Sequence, residues 1–257
     1  MDARQGLRIA LLVEYDGTRY HGFQAQRNQP TVQEELEKAI FAFSQQRVRV
    51  LGASRTDAGA HAKGQVVELR SGKGFPLRAW VKGLNSHLPH DVVVKAAAVV
   101  DKDFRLRGGA VARWYRYALW NRQAASPFWG RYTCHVAQSL DLERMRVVGK
   151  LLEGEHDFAT FCSGSRVSTV RQVHRVEVSQ REERILVDVV GKSFLPHQVR
   201  SMAATLLWAG LGRISAQGYE QLTALKEKGM AGGVLPAKGL CLMRVDYGNR
   251  EPRWEMG

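Results

Sequence analysis

A short loop, ASRTDAGAHA at residues 53–62, concentrates the side chains of this chain that could do chemistry. It carries Arg55, Asp57 and His61 between two runs, RVRVL and QVVEL, whose alternation of apolar and polar residues predicts half-buried strands. Asp57 is the only carboxylate of the loop, and Arg55 is close enough in sequence to pair with it. Function is common in such loops because core strands hold them in place. The alternative is an Asx-type turn with a solvated salt bridge.

The charge of the chain favours a polyanionic partner. The 257 residues include 38 Lys plus Arg and 25 Asp plus Glu, a formal net charge of +13. This predicts nucleic acid first and an acidic membrane surface second, with a basic but inert surface as the alternative. Hydrophobic residues make up 44%, so a sizeable core is expected. Three scattered cysteines fit a reducing cytosol, and no apolar run suits a signal peptide or a membrane helix of about 20 residues.

Two halves of the chain carry similar patterns of elements. The first half predicts a strand, a helix, two strands around the loop, a short helix and a strand, at residues 7–14, 32–43, 47–51, 65–69, 79–89 and 91–100. This β-α-β-β-α-β order is the split pattern of ferredoxin-like folds. The second half predicts a strand, a helix, a strand pair, a helix beginning at Pro196 and a last strand, at residues 112–120, 142–152, 174–180, 184–191, 196–207 and 239–247. We expect a division into residues 1–107 and 108–257, with GGA at residues 108–110 as the hinge.

Several common chemistries lack their sequence motifs. Neither a phosphate-binding G-x-x-x-x-G-K-[ST] loop nor a dinucleotide-binding G-x-G-x-x-G turn is present. His87 and His90 are three residues apart, but Pro89 lies between them and no Cys or acidic ligand accompanies them, so no metal site is predicted. There is no G-x-S-x-G elbow, and no pair of nearby carboxylates suggests the acid and base of a glycosidase. Asp57 therefore remains as a lone carboxylate beside an arginine on a basic protein.

The loop resembles the catalytic motif G-R-T-D-A-G-x-H of the TruA family of tRNA pseudouridine synthases. Other segments resemble further motifs of that family in the same order along the chain: YDGTRYHGFQAQ, TVQEELEKA, GLNSHLP, ARWYRYALWN, GEHDFATF, FLPHQVRSM and LPAKGLCLMRVDY. Each match alone is weak, but together they span nearly the whole chain. The departures are modest: Ser54 replaces a glycine, Phe23 a tryptophan, and Arg105 with Leu106 a frequent His-Ala pair.

The resemblance implies the fold, the reaction and the partners. The fold would be the α+β pseudouridine synthase fold, with two ferredoxin-like halves that form a mixed, mainly antiparallel sheet with a central cleft. The reaction would be conversion of uridine to pseudouridine at positions 38, 39 and 40 in the anticodon arm of tRNA, without a cofactor or a metal. The first half would carry the catalytic loop and the second would complete the RNA-binding cleft. The protein would act as a cytoplasmic homodimer that binds tRNA.

The resemblance also assigns roles to individual residues. Asp57 maps to the essential carboxylate, acting as a nucleophile at C1′ or as a base at C2′, and either role needs it ionised. Arg55 or Arg200 would favour that state, since an adjacent guanidinium stabilises a carboxylate, although a solvated helix face is the alternative for Arg200. Tyr115 maps to the tyrosine that lies over the target base, with a core aromatic as the alternative. Phosphate contacts, or else solvated surface charges, are expected at Arg19, Lys63, Arg105, Arg107, Arg113 and Arg116.

Two other functions are compatible with parts of this pattern. One is an RNA-binding protein of the same fold that has lost activity, against which the intact Asp57, Arg55, Tyr115 and Arg200 argue. The other is a nucleoside hydrolase, which cleaves the glycosidic bond without rejoining it. Such an enzyme must activate water, and the sequence offers neither a metal cluster nor a second carboxylate for that purpose.

Overall fold

The computed structural model describes residues 6–162, 168–224 and 231–257. The strands within these ranges are β1 (Leu7–Tyr15), β2 (Leu51–Gly52), β3 (His61–Ser71), β4 (Val92–Val99), β5 (Ala112–Asn121), β6 (Cys134–Val136), β7 (Gly154–Asp157), β8 (Val170–Arg181), β9 (Arg184–Gly191), β10 (Leu240–Asp246) and β11 (Glu255–Met256). The α-helices are α1 (Val32–Ser44), α2 (Leu77–Asn85), α3 (Leu142–Leu151), α4 (Gln198–Gly210) and α5 (Ala216–Ala224). The fold is mixed α and β, as the sequence predicts.

The first of two compact units comprises Met1–Val111 and Leu242–Gly257. Its strands β4, β1, β3 and β2 pair in that spatial order, and all of these pairings are antiparallel. Numbered along the chain, this is the 4-1-3-2 order of a ferredoxin-like sheet. β11 adds to the outer edge of β4, and β10 lies beside β3. The predicted first strand is therefore central in this sheet, because β1 has a partner on each side.

The helices of the first unit form where the sequence supplies caps and apolar stripes. Thr31 caps α1, and its hydroxyl accepts from the backbone N–H of Glu34, as in a capping box. Leu36 and Ile40, which lie on the apolar side of this helix, are fully buried. Phe43 packs edge-on against Trp80 of α2, with ring centroids 5.3 Å apart. This aromatic contact packs the two helices against each other, and α2 also packs against β4.

The second unit comprises Ala112–Cys241. Strands β5, β9, β8 and β7 pair antiparallel in that order, while β6 runs parallel to β5, so the pairing is mixed and mainly antiparallel. The order β5-β9-β8 reproduces β1-β3-β2 of the first unit, which agrees with the predicted repetition of the ferredoxin-like theme. α3 packs against α4 and β8, and Met145, Val148 and Leu152 at helical spacing are buried in that contact region.

No helix formed by the described residues has the length and apolar character needed to cross a membrane.

Three local predictions differ from the structure. The predicted strand at 47–51 is reduced to β2, because the backbone N–H of Val50 donates to the Glu37 carboxylate of α1 at 3.0 Å instead of to a strand. β3 begins at His61, four residues before the predicted run, so the end of the chemical loop is already strand. α4 begins at Gln198 and not at Pro196, since His197 before it adopts a left-handed φ of 64°.

The division between the units also differs in one respect from the sequence-based one. The first boundary lies after Val111, close to the expected 107. Residues 242–257 were expected in the second half, whereas they belong to the first unit. The physical reason is strand pairing, because β10 lies beside β3 and β11 pairs with β4.

Asn85 provides a stability test of the first unit. Its side-chain amide bonds both backbone groups of Val94, donating to the carbonyl and accepting from the N–H at 2.8 Å each. The β1–β4 register shifts at this point and leaves Lys95 without a partner in β1. Asn85→Ala should therefore lower the free energy of unfolding by about 1–2 kcal/mol, because two groups of a buried strand residue lose their partner. Urea denaturation measures this.

Lys82→Ala, at an exposed position of the same helix, is the control and should change stability by less than about 0.5 kcal/mol. Equal stabilities of the two variants would show that the Asn85 bridge contributes nothing.

Candidate functional site

The loop between β2 and β3 owes its shape to a tight turn at its centre. The backbone N–H of Ala60 donates to the carbonyl of Asp57 at 3.1 Å, which closes a four-residue turn that begins at the carboxylate residue. Gly59, the third residue of this turn, has a φ of 79°. A type II turn requires positive φ at that position, and glycine adopts it without strain. Asp57 itself is half-buried.

A buried glutamine of β3 holds the start of the loop. Gln65 is fully buried, and its amide donates to the carbonyl of Ser54 at 2.7 Å and accepts from the backbone N–H of Ser54 at 3.2 Å. This two-bond contact occupies both ends of the Gln65 amide. The loop therefore leaves the sheet from a fixed point.

Residues 15–23, which we call the bracing segment, begin at the last residue of β1 and lie against the loop. The backbone N–H of Phe23 donates to the carbonyl of Thr56 at 3.2 Å, and the N–H of Gly59 donates to the carbonyl of Tyr20 at 3.1 Å. These two bonds attach the loop on both sides of Asp57. Because buried backbone groups need partners, the bracing segment completes the hydrogen bonding of the loop.

Two glycines allow the bracing segment to approach this closely. A Cβ added to Gly17 would lie 1.9 Å from the carbonyl oxygen of Ala60, and one added to Gly22 would lie 2.7 Å from the carbonyl oxygen of Thr56. Gly22 also has a φ of 91°, which other residues rarely adopt. The sequence signal for this support is the pair of glycines in YDGTRYHG. The close backbone contact explains why both residues are glycine.

The expected ion pair within the loop is not formed. Arg55 is exposed and makes no salt bridge with Asp57 or with any other residue in the described ranges. The reason is that Thr56 between them is buried and its carbonyl is bonded to the bracing segment, so Asp57 is drawn inward while Arg55 remains in solvent. The simple reading of the loop as a turn closed by a solvated salt bridge is therefore wrong.

Tyr115 and Arg200 both belong to the second unit. Tyr115 lies in β5 opposite Val189, is 6% exposed, and meets the ring of Phe194 edge to face with centroids 5.5 Å apart. Arg200 lies in the first turn of α4 and is half-buried, with its Nε donating to the carbonyl of Leu235 at 2.7 Å. That bond uses one edge of the guanidinium and orients the group.

Two of the six predicted phosphate-binding cations form ion pairs with carboxylates. Arg19 donates to Asp91 at 2.7 Å, and Tyr20 donates to the same carboxylate at 2.6 Å. Burial alone would raise the pKa of Asp91, but these two bonds lower it overall. Arg116 binds Asp188 through two bonds of 2.9 Å each, and this contact raises the pKa of its guanidinium despite partial burial. Part of the positive charge at both arginines is therefore neutralised within the protein.

The other four predicted cations divide into two pairs. Arg107 donates to the carbonyl of Gly52 at 2.9 Å, and the buried Arg113 donates to the carbonyl of Lys192 at 2.5 Å. These contacts support backbone within their own units. The side chains of Lys63 and Arg105 are exposed and form no ion pair within the described part of the chain.

Comparison with known proteins identifies the family. A family model described as tRNA pseudouridine synthase matches residues 11–107 and 149–248. A protein of Pelobacter propionicus named tRNA pseudouridine synthase A is 38% identical over 241 residues, covering 93% of this chain and 99% of its own. A protein of the same name from Shouchella clausii is 40% identical over 244 residues, covering 94% of this chain and 94% of its own. Another from Acetivibrio thermocellus is 38% identical over 241 residues, covering 93% of this chain and 99% of its own. The chain belongs to the tRNA pseudouridine synthase family.

Gly17→Ala tests whether the bracing segment shapes the loop. The added methyl group would collide with the backbone of Ala60, which cannot move without displacing the turn at Asp57. We expect a loss of about 1–3 kcal/mol in the free energy of unfolding, typical of an overpacked contact. Gly74→Ala is the control, because a Cβ there meets nothing within 4 Å. If both variants unfolded at the same denaturant concentration, the close approach would have no energetic importance.

Proposed function

We propose that this protein isomerises uridine to pseudouridine in tRNA, with Asp57 as the essential carboxylate. The reaction breaks the bond between N1 and C1′, turns the base within the site, and joins C5 to C1′, while the proton lost from C5 is balanced by the one gained at N1. The observation that carries this proposal is the half-buried Asp57, the one carboxylate residue of a loop that is hydrogen-bonded on both sides of it, in a chain that belongs to this family.

The chemistry of Asp57 follows from its ionised form. As a nucleophile, the carboxylate attacks C1′ and the uracil leaves through N1. As a base, it removes the proton from C2′, and the base departs by elimination. Both routes require the same placement of one carboxylate oxygen near the ribose, and a fixed loop lowers the entropy lost in reaching that geometry. Both also return the carboxylate unchanged, so no external energy source is consumed.

Three further residues support this chemistry in the proposal. Arg200 supplies positive charge that favours the ionised carboxylate, and its bond to Leu235 pre-orients the guanidinium. Tyr115 provides a flat ring on which an extruded base stacks, and its contact with Phe194 holds that ring in one orientation. Arg55, which is exposed and lies two residues before Asp57, places a positive charge near the bound nucleotide.

The proposed substrate is the anticodon arm of tRNA, at positions 38, 39 and 40. The net charge of +13 supports a polyanionic substrate, and three relatives described above carry tRNA in their names. Lys63 and Arg105 are the strongest candidates for phosphate contact, because their exposed cations form no ion pair in the described ranges. We further propose that the protein acts as a homodimer in the cytoplasm, where it meets its substrate.

Asp57→Asn is the decisive variant. The amide preserves size but cannot act as a nucleophile or a base, so pseudouridine formation in an anticodon-arm transcript should fall by at least about 10⁴-fold. Binding of tRNA and thermal stability should stay near those of the unaltered protein. Chemical derivatisation followed by mass spectrometry detects the product, because pseudouridine and uridine have equal masses.

Glu255→Gln is the matched control, since it makes the same change of charge at an exposed position in β11. Near-normal activity of Asp57→Asn would remove Asp57 from the mechanism. Release of free uracil by the unaltered protein would indicate a hydrolase, and tRNA binding without either product would indicate an RNA-binding protein.

Salt dependence tests the phosphate contacts. The affinity for tRNA should fall steeply with rising salt, because bound cations release counterions from RNA. Lys63→Ala and Arg105→Ala should each reduce the slope of log Kd against log salt by about 1. Lys38→Ala, whose ammonium is already paired with Glu35, should leave the slope unchanged. Fluorescence anisotropy at several salt concentrations measures the tRNA affinity of the unaltered protein and of the three variants. Equal slopes for all four proteins would exclude Lys63 and Arg105 from the interface.

A further inference from the structure

The residue before the proposed catalytic carboxylate carries a buried hydrogen bond. The hydroxyl oxygens of Thr56 and Tyr15 are 2.7 Å apart. Thr56 is 7% exposed and Tyr15 is 3% exposed, so water does not compete strongly for either group. A β-branched side chain such as threonine has few χ1 states. Holding the Thr56 hydroxyl in one position therefore also restrains the backbone of Thr56, which directly precedes Asp57.

An irregularity in the sheet brings Tyr15 to this position. Val13 of β1 pairs with Gln65 of β3, and a regular antiparallel ladder would then pair Tyr15 with Lys63. Tyr15 instead pairs with Ala62, so β3 contains one extra residue between the two pairs. Bulges of this kind re-aim side chains near functional sites. Here the shift moves Tyr15 one residue closer to the loop.

A second side chain holds the other end of the loop. His61 is 6% exposed, and its Nδ1 lies 3.0 Å from the backbone nitrogen of Gly17 and 3.1 Å from Oδ1 of Asp16. The backbone N–H of Gly17 donates to this ring nitrogen, so the imidazole is bonded to the turn at Asp16 and Gly17. With that end held, the Tyr15–Thr56 bond controls the freedom of the loop on the other side of Asp57.

We propose that Tyr15 and Thr56 are positioning residues, whose paired hydroxyls set the direction of the Asp57 carboxylate toward the ribose without contacting RNA. The inference rests on the proposed function of Asp57. The backbone bonds of Thr56 to Phe23 and of Gly59 to Tyr20 attach the loop without either hydroxyl. Loss of the hydroxyl pair should therefore leave the protein folded and affect the chemical step, which is sensitive to displacements of about 1 Å.

The test measures three quantities for each variant: the single-turnover rate of pseudouridine formation at saturating enzyme, the Kd for tRNA, and the melting temperature. Tyr15→Phe and Thr56→Val should each slow the single-turnover rate by about 10- to 100-fold. The Kd should remain within about twofold, because neither hydroxyl meets RNA. Thr56→Ser, which retains the hydroxyl, should stay within about threefold of the original rate. The double variant should be no slower than the slower single variant, because both changes remove one bond.

Ser44→Ala is the matched control. It removes another buried hydroxyl of the first unit, which donates to the carbonyl of Ile40 in α1 at 2.7 Å, and should leave the rate unchanged. A rate near normal in Tyr15→Phe, or losses that multiply in the double variant, would overturn the positioning role. Tyr15→Phe removes a single oxygen atom, so the test remains valid even if Thr56→Val fails to fold.

Failure of the proposed function has a different signature. It would appear as an unaltered protein that makes no pseudouridine, or as an active Asp57→Asn variant. An active protein that needs Asp57 but tolerates loss of the hydroxyl pair would refute the positioning role alone.

Discussion

The backbone position of Asp57 depends on the close approach of two segments, the bracing segment and the loop at 53–62. The approach is possible because Gly17 and Gly22 have no Cβ, and either methyl group would collide with a carbonyl oxygen of the loop. Four hydrogen bonds then join the segments, two between backbone groups and two through side chains. A loop carboxylate without such support would lose conformational entropy on meeting each substrate. The support removes much of that loss before RNA arrives.

The positive charge of the chain is less available to a partner than its sum suggests. Arg19 and Arg116 are paired with carboxylates, and Arg107 and Arg113 are hydrogen-bonded to backbone carbonyls. Guanidinium groups suit such roles because they stay charged and offer several donors in one plane. The same residue type therefore serves as support in some positions and as a candidate phosphate ligand in others. Which role an arginine has depends on the acceptors near it. The exposed side chain of Arg105 forms no ion pair within the described residues, so it is a candidate phosphate ligand.

Much of the fold was predictable because it follows from local pattern. The helix predicted at 32–43, the strand predicted at 112–120 and the order of elements in the first unit all match the structure. The failures share one cause. Residues 47–51 alternate as a strand does, but Val50 binds a carboxylate of α1. Arg55 is two residues from Asp57, yet the burial of Thr56 separates their environments. In both places a tertiary contact overrides the local preference.

The sequence by itself determined the family, the order of the elements, the strongly basic charge and the lone carboxylate of the loop. These depend on residue type and spacing along the chain, which the printed letters contain. Only the tertiary structure decided that Tyr15 would meet Thr56, 41 residues away, that His61 would meet the turn at Asp16, and which arginines would be neutralised. Such partners follow from strand register, and a shift of one residue in a ladder changes every contact beyond it. No local pattern specifies that shift.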